Sequence, residues 1–146
     1  MMMQQIYPAP PHSYRYELNK DFQFAAAHYV PHEDAGACRR LHGHTYYVNV
    51  TVVGNELNEL GFLVNFQHIK NLIHKRFDHT VLNHDSLFNE EDPDRFPTTE
   101  VVAKTMWEIM QEQLDQLENK PRCIQIFLRE TPTSYVVYRP REDDFQ

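Results

Sequence analysis

The sequence predicts an α+β fold, β-β-α-α-β-β, in which an antiparallel sheet carries two helices on one face. Three patterns predict it. Alternating or β-branched runs lie toward both ends of the chain, apolar residues recur at three- and four-residue steps through its middle, and turn residues punctuate the junctions. A length of 146 residues suffices for one domain with its own core and is too short for two ordinary ones. We therefore divide the chain into a flexible N-terminal arm, residues 1–13, and a single domain, residues 14–146.

Pro8, Pro10 and Pro11 mark the arm, because terminal segments without a packing pattern are poorly held. Strand character runs from Tyr14 to Val30, where Phe22 and Phe24 alternate with Asp21 and Gln23. Pro31 to Leu41 is a polar loop. Thr45 to Gly54 is β-branched and aromatic, a second strand, and Asn55 to Gly61 is a turn or irregular crossing. Phe66, Ile69, Leu72, Ile73 and Phe77 then form one apolar helix face, with Asn65 as its N-cap. Asp78 to Pro97 is polar and read as loop. Thr98 caps a longer helix striped by Val101, Val102, Met106, Ile109, Met110, Leu114 and Leu117, ending near Asn119 before Pro121. Cys123–Glu130 and Ser134–Tyr138 are two strands joined by the turn at Thr131, Pro132 and Thr133. An open sheet of this kind leaves edges, and edges invite oligomerisation.

Composition narrows the function. Apolar residues are 41% and charged residues 24%, the balance of a globular protein. A net charge of −7 argues against a nucleic-acid binder, and a phosphate-bearing ligand would need a local basic pocket. No run of eighteen apolar residues and no secretory signal occurs, so no membrane contact and a cytoplasmic location are expected. Cys38 and Cys123 are then expected to be free thiols.

Nine histidines are the unusual feature. His42 and His44 stand two apart at the mouth of the second strand, where i and i+2 share a face with Cα atoms roughly 6.6 Å apart. His28 ends the neighbouring strand of the same hairpin, so pairing brings it across. Three neutral imidazoles with an open fourth position are the donor set of catalytic zinc. Cys38, four residues before His42, is either a fourth ligand closing a structural site or a thiolate general base beside the metal. Arg39 and Arg40 favour the thiolate if they point inward. Cys123, in an apolar strand, is core filler.

The motif Cys38-Arg39-Arg40-Leu41-His42-Gly43-His44-Thr45-Tyr46 resembles the 6-pyruvoyltetrahydropterin synthase family. The likeness extends through the strand end at His28, Gly61–Phe66, Phe77-Asp78-His79, Leu82-Asn83, Pro97–Glu100 and Arg129-Glu130-Thr131, covering roughly residues 16 to 139 in order. It implies the tunnelling fold, whose subunits join their sheets into barrels, commonly as homohexamers with sites at subunit boundaries. It implies one zinc ion per subunit on His28, His42 and His44, and Cys38 as proton-abstracting base. Asp78 and His79 would be a proton relay reaching the site from an adjacent subunit. Glu130 would anchor the guanidine-like edge of a pterin, with Thr98, Thr99 and Glu100 near it.

The three-residue gap between Cys38 and His42 resembles the carboxy-forming branch of that family, which feeds queuosine and other 7-deazapurines. The implied reaction takes 7,8-dihydroneopterin triphosphate to 6-carboxy-5,6,7,8-tetrahydropterin, acetaldehyde and triphosphate. The alternatives are triphosphate elimination with the side chain kept, as in the pyruvoyl branch, and a non-catalytic zinc-binding module. Asn65 departs from the family's aspartate, yet caps a helix as well.

Overall fold

The structure is a computed structural model and describes residues 7–145; residues 1–6, the first part of the expected arm, and residue 146 lie outside the described residues. Strand β1 (Tyr16–His28) and strand β2 (His42–Gly54) are followed by helix α1 (Phe66–Phe77) and the two-residue strand β3 (Thr80–Val81). Helix α2 (Thr99–Leu114) and strands β4 (Arg122–Thr131) and β5 (Ser134–Tyr138) complete the order. The sheet runs β3-β1-β2-β4-β5.

β1 and β2 pair in unbroken antiparallel register from Tyr16↔Gly54 to His28↔His42. Period-two alternation therefore sends Phe22, Phe24, Ala26 and His28 to the same face as Tyr46, Val48, Val50 and Val52. α1 packs on β1, and α2 on β4 and β5, so that face carries both helices as expected. Ile69, Ile73 and Phe77 of α1 and Val102, Met106, Met110 and Leu114 of α2 fill the core above it. β4 carries a bulge opposite Thr51 and Val52, which turns Cys123 as well as Ile126 and Leu128 into the core. The backbone groups freed there go to α2: Cys123 N–H donates to Gln111 Oε1 at 2.8 Å, and Trp107 Nε1 donates to Cys123 O at 2.8 Å.

The second face of the sheet is polar, and its middle is buried. Asn49 and Gln125 are both 0% exposed, and Asn49 Nδ2 donates to Asp21 Oδ1 at 2.9 Å. Residues from the arm lie over them: Tyr7 meets the Phe127 ring edge-on at 4.9 Å, and Gln125 Nε2 donates to Pro8 O at 2.6 Å. Arg122 gathers both ends of the described chain, donating to Tyr14 Oη at 3.3 Å and Glu142 Oε1 at 2.8 Å while lying over the Phe145 ring.

Three expectations are corrected. The sheet is mixed, because β3 runs parallel to β1 through Ala26↔Thr80 and Ala27↔Val81. Asp78 and His79 cause this by tying the chain to the free edge of β1 just before Thr80. α2 stops at Leu114, a turn before Asn119, where Asp115 begins tighter turns and Lys120 Nζ caps the Asp115 carbonyl at 2.6 Å. Phe66 opens α1 at its tip, is 46% exposed and does not join the core, with Lys20 over its ring. The caps themselves are as expected: Asn65 Oδ1 accepts from Gln67 N at 2.9 Å, and Thr98 Oγ1 from Val101 N at 3.2 Å.

Candidate metal centre

The inner face of the hairpin ends in histidine. His28 and His42 are direct cross-strand partners and His44 faces Ala26, so all three imidazoles leave the sheet on the helix side. Their ring centroids are 4.5 Å (His28–His42), 4.8 Å (His42–His44) and 5.1 Å (His28–His44) apart. Two of the rings are oriented by backbone carbonyls: His28 Nδ1 lies 2.6 Å from Pro97 O, and His42 Nδ1 lies 2.7 Å from Arg40 O. Each carbonyl takes an Nδ1–H and leaves Nε2 with a lone pair for a metal, the usual outer-shell support of a histidine ligand.

Glu130 arrives from β4. Arg129 pairs with Tyr47, so alternation sends Glu130 to the face that carries His44. Its Oε1 lies 2.8 Å from His44 Nε2 and 3.5 Å from His28 Nε2, while Thr99 Oγ1 donates to Oε2. One ligand atom from each of His28, His42, His44 and Glu130 falls within 4.8 Å of all the others. His28 Nε2 and His44 Nε2 are buried and make no hydrogen bond, despite the short distance to Glu130. Buried nitrogens without partners are costly, and a bound cation would satisfy both. Burial also pushes the imidazoles of His28 and His44 below the ordinary histidine range, which keeps them neutral, the form that binds metal. The donor set fits a divalent ion of zinc's type.

A cleft of about 320 Å³ opens beside the cluster, lined by His28, Thr98, Thr99, Glu100, Glu130 and the start of β5. Thr98, Thr99, Glu100 and Glu130, expected on the substrate side, thus line one cleft together with His28. Ser134, Tyr135 and Val136, also in its wall, were not singled out from the sequence. Their signal was the tight turn that folds β5 back beside Glu130.

Cys38 lies outside the four-atom cluster. It is exposed, in a short 3-10 segment (Glu33–Arg39) broken at Gly36, whose φ of 59° suits glycine. Its carbonyl accepts from Val30 N at 2.8 Å, which holds the loop against the end of β1. Arg39 and Arg40 are exposed as well.

Asp78 and His79 do not join the cluster either. Asp78 Oδ1 accepts from Ala25 N at 2.9 Å, and Oδ2 lies 2.7 Å from His79 Nδ1. His79 N–H donates to Ala25 O at 2.6 Å with φ at 61°, a left-handed conformation uncommon for a residue with a side chain. The His79 side chain is 83% exposed. The Ala25 amide first, and His79 second, hold the Asp78 carboxyl below its usual value.

A mixed sheet backed by two helices, with a three-histidine centre opening on a cleft, defines an α+β enzyme scaffold of the metal-binding class. The chain belongs to the family described as 6-pyruvoyl tetrahydropterin synthase, whose profile matches residues 17–141. A 6-carboxy-5,6,7,8-tetrahydropterin synthase from Bacillus subtilis is 57% identical over 141 residues, covering 97% of each chain. One from Synechocystis is 37% identical over 103 residues, 65% of this chain and 74% of that one. The solved 6-pyruvoyl tetrahydropterin synthase of Caenorhabditis elegans superposes with a TM-score of 0.66 at 21% identity, covering 86% of this chain and 96% of that one. That likeness establishes the fold.

Proposed function

We infer that this chain is a lyase of the carboxy-forming branch, converting 7,8-dihydroneopterin triphosphate into 6-carboxy-5,6,7,8-tetrahydropterin, acetaldehyde and triphosphate, a step toward queuosine and related 7-deazapurines. The observation that carries this reading is the convergence of three imidazoles beside an open cleft in a chain 57% identical, over 97% of its length, to a synthase of that name. Oxygen balance requires one water, because the retained carbon becomes a carboxyl while two carbons leave as acetaldehyde.

His28, His42 and His44 hold zinc, one ion per subunit. The bound ion supplies positive charge that acidifies side-chain hydroxyls and stabilises negative oxygen. Glu130 accepts two parallel hydrogen bonds from the guanidine-like pterin edge, and the Thr99 hydroxyl orients its carboxylate. Thr98 and Glu100 border the same space. Cys38, as thiolate, removes a proton from the substrate side chain, and His79, oriented by Asp78, returns one. Electrons pass from side chain to ring, so no external hydride donor is needed. The exposure of His79 and its absence from the cluster favour a relay delivered to the cleft of a neighbouring copy in a homohexamer whose sheets join into barrels.

Incubating the zinc-loaded protein with 7,8-dihydroneopterin triphosphate and analysing products by mass spectrometry tests the reading. Acetaldehyde with the carboxypterin supports it. Triphosphate release with an intact three-carbon side chain would assign the chain to the pyruvoyl reaction instead.

A further inference from the structure

Helix α1 ends at Asp78, whose N–H donates to the His74 carbonyl at 2.9 Å. The i, i+4 spacing stacks the two side chains on one face, and His74 Nε2 lies 3.6 Å from Asp78 Oδ2. That same oxygen meets His79 Nδ1 at 2.7 Å, while Oδ1 is taken by the Ala25 amide. The carboxylate is therefore fixed to β1 through one oxygen and hydrogen-bonded to His79 through the other, with His74 within ion-pair distance of that second oxygen.

Of the two helix cations between His74 and Asp78 in sequence, Arg76 is forked onto Asp85 at 2.8 and 2.9 Å, and Lys75 is exposed. From β1 the facing groups are the Ala25 amide and carbonyl, and Thr80 of β3 is spent on the Phe77 carbonyl at 2.7 Å. His79 and His74 are the charged side chains that act on Asp78.

We propose that His74 is a positioning residue for His79, acting through its 3.6 Å ion-pair contact with Asp78 Oδ2 to set how strongly that carboxylate supports a protonated His79. The inference rests on the reading of Asp78 and His79 as the proton-returning pair. A positive His74 also opposes a positive His79 directly. Two charges about 6 Å apart in a water-like medium change an affinity for protons by roughly threefold, about half a pH unit.

The test uses the full chain loaded with zinc and carrying ¹³C-labelled histidine. His74→Phe removes both contact and charge, and His74→Lys makes the charge permanent. The His79 titration midpoint read by NMR is expected to order Phe above wild type above Lys, the whole span roughly half a unit. kcat should fall about fivefold or more in the Phe variant with KM within twofold, and the limb of the pH–rate profile should move with the midpoint. His68→Gln, on the same helix but outside this contact, should move neither. A His79 midpoint that is the same in all three proteins overturns the inference. A midpoint that follows the expected order while His79→Ala keeps full turnover upholds the His74 contact and refutes the relay reading, so the two fail separately.

Discussion

His28 and His42 are the last cross-strand pair of the β1–β2 hairpin, and their rings stand closer, at 4.5 Å, than any other two of the three histidines. The centre is thus a property of strand register. A shift of one residue would turn one of the two rings to the opposite face.

Removing one member of this pair should remove the metal and leave the sheet. His42→Ala is expected to weaken zinc binding by at least about 100-fold, more than the loss of an outer-shell partner costs, with an unchanged far-ultraviolet circular dichroism spectrum. Chelator competition measures it. Wild-type affinity in the variant would show that the cluster is not a metal centre.

The two thiols should differ sharply in reactivity. Cys38 is exposed, whereas Cys123 is fully buried and its thiol is pushed up to about 12 by that burial. A thiol reagent at mildly alkaline pH should modify one cysteine per native chain and two after denaturation, with peptide mapping placing the first at Cys38. Cys38→Ala should retain stoichiometric zinc and lose turnover; loss of the metal as well would make Cys38 a ligand.

Asp78 gives a pH dependence of stability with a defined sign. Its folded value lies below the ordinary 3.8, so its ionised contribution is fully present above that value and is lost as pH falls through the lower folded one. The melting temperature of Asp78→Asn should trail wild type near neutral pH, and the gap should close as pH falls through the lowered folded value. A gap independent of pH would assign the loss to altered shape.

Gln125 tests the covering of the second face. Its amide is 0% exposed, donates to Pro8 O at 2.6 Å and accepts from Arg139 Nε at 2.9 Å. Gln125→Leu leaves both partners without it and should cost about 1–3 kcal/mol in urea unfolding. An unchanged midpoint would mean that the Gln125 contacts contribute nothing to stability.

Much of this was legible in the sequence, for identifiable reasons. Asn65 and Thr98 cap their helices through local hydrogen bonds, which need only neighbouring residues. The two-residue spacing of His42 and His44 implies a shared face for any strand, and the hairpin supplies His28. What escaped depends on contacts distant in sequence. β3 exists because Asp78 and His79 bind Ala25, some fifty residues earlier, and a two-residue strand has no periodicity to read. The proximity of Glu130 to His44 follows from β4 lying beside β2 in a particular register. The family resemblance placed Glu130 with a ligand; only the pairing brings it against the imidazoles.

Arg122 has a topological consequence. One guanidinium holds Tyr14, where the arm joins the domain, and Glu142 near the end of the described chain, so the polypeptide path nearly closes on itself. A circularly permuted gene that links these two regions and reopens the exposed stretch between β2 and α1 would keep β1 and β2 joined through the loop before His42. Such a permutant would carry its histidines on one continuous hairpin, with new ends in a segment that tolerates them.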